Sequence, residues 1–192
     1  MTACPLPTPQ EQGAGSATHR AQTVVLAPER TAPRPLLPAP RPATLGDVPQ
    51  LEALMAPFVR TGDLLPRSNY DLCRHIKEYV VVEGLDGAVV GCGALKIYSR
   101  ELAEVAGLAV RDDHQGLGIG RAVVQALLVE AGRLGVSGVF GLTRKPVFFF
   151  RLGFQPAERE HFPLKVWADC ARCPRQASCD EIAVALRLPV AL

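Results

Sequence analysis

The sequence is poor in aromatic residues, 6% of 192 positions with a single tryptophan, and it has no strong excess of either charge, with 21 Lys and Arg against 19 Asp and Glu. That balance excludes a surface built mainly to neutralise phosphates along a nucleic acid, so each basic residue has to be read by its own site. No uncharged apolar run approaches the ~18 to 20 residues needed to cross a bilayer. The richest stretch, Ala122 to Ala131, is broken by Gln125 and Glu130, so no membrane span is expected. An apolar secretory segment is also missing near Met1, and the six cysteines therefore read as reduced thiols of a cytoplasmic protein.

What is present fits one globular domain with an extension. Nine of the 17 prolines lie before residue 43, mixed with Ala, Thr and Arg, with neither an alternating nor a helical apolar pattern. Such a segment cannot bury enough surface to offset its ordering entropy, and residues 1–36 read as a disordered extension ahead of a domain at 37–192. A mitochondrial transit peptide is the competing reading, opposed by the prolines and by Glu11 and Glu29.

Within the domain, Asp47 ahead of Val48, Leu51, Leu54, Met55 and Phe58 predicts an N-capped amphipathic helix. Ser68-Asn69-Tyr70-Asp71 is a variant capping box opening a second helix, which places Arg67 at a helix entrance. Tyr79 to Glu83 and Ala88 to Ile97 are Val-rich runs joined by an Asp86-Gly87 turn, predicting an antiparallel hairpin. Glu104 to Val110 and Val136 to Thr143 read as strands on either side of a helix over Arg121 to Leu134. A strand-helix-strand unit of this length demands a right-handed crossover between parallel strands. A helical turn or two at Phe148 to Leu152, a break at Gly153 and a strand at Ile182 to Leu188 complete an α/β fold with a mixed sheet.

Between the third strand and the crossover helix lies Gln115-Gly116-Leu117-Gly118-Ile119-Gly120-Arg121. Glycine at every second position lets backbone N–H groups converge without Cβ atoms in the way, and the following helix adds its positive end. This predicts a pyrophosphate cradle. The spacing is GxGxG, not the GxGxxG of a dinucleotide fold, and no Gly-Lys-Ser/Thr of a Walker loop occurs.

Gln115-x-x-Gly118-x-Gly120, after Leu108-Ala109-Val110, resembles the Q/R-x-x-G-x-G/A signature of the GNAT superfamily of acetyl-CoA-dependent N-acetyltransferases. Phe149-Phe150-Arg151-Leu152-Gly153-Phe154 is similar to that family's Y-E-K-L-G-F segment, and the match runs from about Arg41 to Leu188. The resemblance implies the acyl-CoA N-acyltransferase fold, in which the strand ending at Val110 and its parallel neighbour at Phe140 to Thr143 splay apart. Acetyl-CoA would enter the gap, with pantetheine along Leu108, Ala109 and Val110. Gln115, Gly116, Leu117, Gly118, Ile119, Gly120 and Arg121 would surround the pyrophosphate. Glu104 lies where many relatives carry a catalytic base. Relatives use a tyrosine to protonate the leaving sulfur where this chain has Phe149, so Tyr98 or Cys92 are the candidates to assist it.

Leu64-Leu65-Pro66-Arg67-Ser68, Gly91-Cys92-Gly93-Ala94-Leu95-Lys96-Ile97-Tyr98, Leu142-Thr143 and Lys165-Val166-Trp167-Ala168-Asp169-Cys170 resemble the short, single-domain bacterial N-acetylglutamate synthases, which open arginine biosynthesis. An acidic amino acid needs two separated cationic clamps, and a guanidinium binds a carboxylate in plane. Arg67 is the candidate for the α-carboxylate of L-glutamate, and Arg144 or Lys145 for the side-chain carboxylate, with Lys165 a further candidate. Other amines, or acyl-CoA binding without catalysis, are the alternatives.

Cys170, Cys173 and Cys179 lie within ten residues and invite a zinc reading. A closed site needs a fourth ligand from His161, Asp169, Asp180 or distant Cys73, so no metal is expected. A homodimer through edge strands or the last strand is the expected assembly.

Overall fold

The computed structural model describes residues 39–162, 169–173 and 175–189. Lys165, Trp167 and the 1–36 extension lie outside the described residues. Among the described residues seven strands form one mixed sheet in the order β1-β2-β3-β4-β5-β7-β6. They are β1 (Arg41–Pro42), β2 (Tyr79–Glu83), β3 (Val89–Ile97), β4 (Leu102–Val110), β5 (Gly138–Thr143), β6 (Gln155–Ala157) and β7 (Ile182–Arg187). The helices are α1 (Val48–Arg60), α2 (Asn69–Arg74), α3 (Ile119–Arg133) and α4 (Pro146–Phe150).

The Asp-Gly hairpin is present: Gly84 N–H donates to Ala88 O at 2.7 Å, and Gly87 takes φ +76°, which only glycine adopts without strain. The crossover is present too, with α3 joining β4 to β5 and β4 pairing parallel to β5. Among the described residues the long helices α1 and α3 meet the sheet in two cores, and a third, smaller cluster gathers Phe140, Phe162 and Ala183. Ile119, Val123, Val124, Leu127 and Ala131 of α3 pack on one face with Val90, Leu95 and Val139. Val48, Leu51, Leu54 and Met55 of α1 pack on the other face with Tyr79, Val81, Cys92 and Ala109. The central strand β3 is thus covered on both sides, which is why it reads as a continuous apolar run. Gly91 and Gly93 let α3 approach: a Cβ on Gly91 would come within 2.3 Å of Ile119 Cγ2, and one on Gly93 within 2.7 Å of Val123 Cγ1.

The capping box at Ser68 is formed as expected, Ser68 Oγ accepting from Asp71 N–H at 3.1 Å. Asp47 departs from expectation. Its side chain does not cap α1. It accepts from Thr44 N–H at 2.7 Å in a box one turn earlier and takes both terminal nitrogens of Arg41, at 2.9 and 2.8 Å. Arg41 also reaches Glu83. This cluster fastens the start of the domain to β2, and the Arg41 hydrogen bonds hold the buried Asp47 carboxyl far below the usual carboxylate range.

Candidate active site

Parallel pairing between β4 and β5 covers Leu102↔Gly138, Ala103↔Val139 and Glu104↔Phe140 and then stops. Past that point β5 continues against β7, through Gly141↔Val184 to Thr143↔Ile182, while β4 continues against β3. The β4 edge from Val105 onward is therefore open towards β5, as the splayed-strand expectation requires. A bulge sharpens the divergence. The β3–β4 register shifts between Cys92 and Ala94, so Gly107 and Leu108 together stand opposite Gly93, and Gly107 takes φ +59°.

The gap opens into a cavity of about 610 Å³. Of the residues singled out from the sequence, it is lined by Glu104, Leu108, Val110, Gln115, Gly116, Gly118, Ile119, Gly120, Arg121, Arg67, Arg144, Lys145, Phe149, Cys170, Cys173, Cys179 and Asp180. Leu117 is outside the lining. Ala109 has its side chain buried in the opposite core, because neighbouring residues of a strand face opposite ways. Cys92 is a correction: its side chain is fully buried on the α1 face, its thiol donates to Gly107 O at 3.6 Å, and burial pushes that thiol up to about 12. A thiol so placed meets no substrate. Tyr98 stands behind Glu104, donating its phenol proton to Glu104 Oε2 at 2.9 Å. Burial, the Glu104 charge and this hydrogen bond hold the phenol far above its ordinary value. Phe149 lies edge-on against both Phe148 and Phe154 in the α3-side core.

At one end of the cavity Gly116 and Gly118 take φ +76° and +89°, and Gly118 is the N-cap of the 15-residue α3. A left-handed N-cap turns the chain so that the first N–H groups of α3 line the turn, at the helix's positive end. Gln115 fastens the loop from within, its side-chain amide donating to Asp112 Oδ1 at 2.8 Å and Val110 O at 3.3 Å. This end fits a pyrophosphate.

At the other end the cations are organised by carboxylates. Arg67 Nη2 and Lys96 Nζ approach the same oxygen, Asp169 Oδ2, at 3.5 and 2.7 Å. Arg144 donates to Asp63 Oδ1 at 2.9 Å, Asp180 Oδ1 at 2.8 Å and Gly62 O at 3.0 Å, tying three loops together. A guanidinium so engaged is a poorer clamp for a second substrate carboxylate than the sequence suggested. Tyr79, Lys96 and Gly107 line the cavity without having been singled out. Burial pushes the Tyr79 phenol up to about 12, so it stays protonated.

Among the described residues no group of three or more His, Cys, Asp or Glu is gathered for a metal ion. Arg159 Nη2 donates to Cys179 Sγ at 3.1 Å and to Glu181 O at 2.9 Å. Among these residues also, no helix is long and apolar enough to cross a membrane.

A mixed sheet with a parallel pair that opens onto a glycine turn at a helix N-terminus defines an acyl-CoA N-acyltransferase fold. The Acetyltransferase (GNAT) family pattern matches residues 49–154, and the chain belongs to that family. It is 37% identical over 144 residues to an uncharacterized N-acetyltransferase of Chlorobaculum tepidum, covering 75% of this chain and 92% of that one. It is 36% identical to the amino-acid acetyltransferase of Mycobacterium tuberculosis, over 73% of this chain and 81% of the relative. The N-acetylglutamate synthase of Neisseria gonorrhoeae, solved with coenzyme A and N-acetyl-glutamate, superposes with a TM-score of 0.70 at 31% identity, over 79% of this chain and 35% of that one. The chain likewise spans 29% of the amino-acid acetyltransferase of Pasteurella multocida, at 35% identity over 65% of this chain. The chain is thus similar both to amino-acid acetyltransferases and to an N-acetyltransferase of unstated acceptor.

Proposed function

We propose that the protein transfers the acetyl group of acetyl-CoA to the α-amino group of L-glutamate. The observation that carries this reading is the end of β4–β5 pairing at Glu104↔Phe140, which leaves one strand edge open between a glycine cradle and a carboxylate-binding cation pair.

Main-chain groups of Leu108 and Val110 on the open edge would pair with the amides of the pantetheine arm as an added strand does. The turn at Gly116, Gly118 and Gly120, with Arg121, would take the pyrophosphate. The thioester then lies beside the bulge, where a main-chain N–H of β4 steadies negative charge growing on the carbonyl oxygen. Glu104, fixed by Tyr98, takes the proton that the substrate ammonium must lose, directly or through one water, before its neutral amine attacks the thioester carbonyl. Arg67 and Lys96 hold the α-carboxylate, which fixes the amine relative to Glu104. The thiol's ordinary pKa of ~8.5 makes it a fair leaving group without an acid at Phe149.

The engagement of Arg144 by Asp63 and Asp180 favours a second reading, an α-amino acid with an uncharged side chain as acceptor. The test is release of CoA thiol from acetyl-CoA with L-glutamate, L-glutamine, L-aspartate and L-lysine in parallel, the products identified by mass. Glutamate is expected to give the highest kcat/KM. Preference for glutamine would replace the acceptor, and tight acetyl-CoA binding without turnover would leave a binding module. A cytoplasmic place in arginine biosynthesis, a homodimer, and a boundary between residues 36 and 37 belong to this same reading.

A further inference from the structure

Three features of the molecule lie outside the chemistry derived above: the Arg41–Asp47–Glu83 cluster, the cysteines around Arg159, and Asp169. The first lines no part of the cavity, and among the described residues the second joins no two sulfurs. Asp169 is different, because it acts on two residues of the cavity wall without being part of that wall. Its side chain is 11% exposed, against 28% for Arg67 and 20% for Lys96. Both cations face the cavity, and both converge on a single oxygen, Oδ2.

We propose that Asp169 is a positioning residue for the acceptor, holding Arg67 and Lys96 side by side so that together they bind one carboxylate of the substrate. The argument is one of charge and reach. Two like charges brought to one place repel, and each sits at the end of a flexible side chain that would otherwise turn to solvent. A carboxylate behind them offsets the repulsion and fixes both ends. In the ion pairs described, two cations meet one carboxylate on this wall, which leaves positive charge to suit one anionic group. In the second cluster Arg144 and Arg175 face Asp63 and Asp180, two cations against two carboxylates, so that network has no such excess. The two partners come from distant parts of the chain, Arg67 at the entrance of α2 and Lys96 in β3, so nothing local orients one towards the other. Asp169 supplies that link across 102 residues to Arg67 and 73 to Lys96.

This inference rests on the acetyltransferase reading for its substrate, so its test has two parts. In steady state, Asp169→Asn is expected to raise the acceptor KM at least tenfold, to leave kcat at saturating acceptor within threefold, and to leave the acetyl-CoA dissociation constant unchanged. Asp169→Glu, which keeps the charge, should recover much of the loss. An unchanged acceptor KM, or a fall in kcat and acetyl-CoA affinity together, would overturn the proposal. The second part needs no turnover. Lysines are dimethylated with [¹³C]formaldehyde, and the Lys96 resonance is assigned by its loss in Lys96→Arg. That resonance should move in Asp169→Asn, and should also move in Arg67→Ala, where the shared carboxylate is released to Lys96 alone. A resonance that is the same in wild type and Asp169→Asn rejects the link. Failure of L-glutamate as acceptor with a moving Lys96 signal would reject the glutamate reading and keep the Asp169 link.

Discussion

The phenol of Tyr98 and the carboxylate of Glu104 are joined by a 2.9 Å hydrogen bond at the last paired position of the parallel strands, where Glu104 stands opposite Phe140. The bond uses one carboxylate oxygen, Oε2, and fixes the plane of the group at the point where the cavity opens. Glu104 is buried, so its orientation is set by such contacts and not by solvent. Glu104→Gln keeps shape and removes the base, and kcat should fall by about 10²- to 10⁴-fold, the range of a general base. Tyr98→Phe removes only the fixing bond, and a fall of about tenfold or less is expected. Rates for both variants at saturating substrates check the order. Equal losses would mean that Tyr98 itself takes part in the chemistry.

The glycine turn separates cofactor effects from acceptor effects. Gly118 sits at φ +89°, where an L side chain costs roughly 1 to 2 kcal/mol, more for a β-branched one. Gly118→Val is expected to distort the N-terminus of α3 and raise the acetyl-CoA KM tenfold or more, with a much smaller effect on the acceptor KM. Calorimetric binding of CoA checks it, and unchanged affinity would remove the cradle from the mechanism.

Much of this arrangement was legible in the sequence wherever the signal is local. The Asp86-Gly87 turn, the Ser68 capping box and the alternate glycines each lie within a few residues, and each formed. The crossover from β4 to β5 followed from helix length and strand chemistry alone. Non-local signals were hidden. Lys96 occupies a strand position next to exposed Ile97, and nothing near it in the chain points to Asp169, 73 residues away. Gly107 looks like one more small residue in an Ala-rich strand, and only the register against β3 marks it as the bulge. β1 and β6, of two and three residues, are too short to show a period. Asp47 misled because an acidic residue ahead of a helix suits either the cap or the third position of an earlier box, and Arg41 decided the matter.

Arg67 and Arg144 both line the cavity, yet they should respond differently to truncation. Arg67 meets one carboxylate that it shares with Lys96, and Arg67→Ala is expected to raise the acceptor KM strongly while leaving acetyl-CoA affinity near normal. Arg144 bonds to the loop at Gly62 and Asp63 and to Asp180, so its loss loosens the rim. These partners are partly exposed, and about 1 kcal/mol of stability is expected to go with Arg144→Ala, a fall of a few degrees in Tm. Thermal unfolding and acceptor KM, measured on both variants, separate the roles. A large KM effect without a Tm change at Arg144 would restore it as the clamp for the side-chain carboxylate.

The Arg41–Asp47 pair gives a stability prediction independent of catalysis. Asp47 is 4% exposed, accepts from Thr44 and Arg41, and its carboxyl is held far below the ordinary range chiefly by the Arg41 hydrogen bonds. A group whose pKa is lowered by folding stabilises the native state above its unfolded value, about 3.9 for aspartate, and that contribution is lost as pH falls through the folded value. Asp47→Asn leaves Arg41 without its bidentate partner. Breaking a buried pair costs about 3 to 5 kcal/mol, and the partial exposure of Arg41 reduces the expectation to about 2 to 3 kcal/mol at pH 7. In a domain of this size that is a fall in Tm of roughly 5 to 10 °C. The difference between wild type and Asp47→Asn should shrink on acidification below pH ~4, where the unfolded chain takes up a proton at Asp47 that the folded chain does not, and should be flat between pH 6 and 8. Urea unfolding across that range measures it; a difference that grows in acid would show that Asp47 is destabilised by burial and that Arg41 does not hold it.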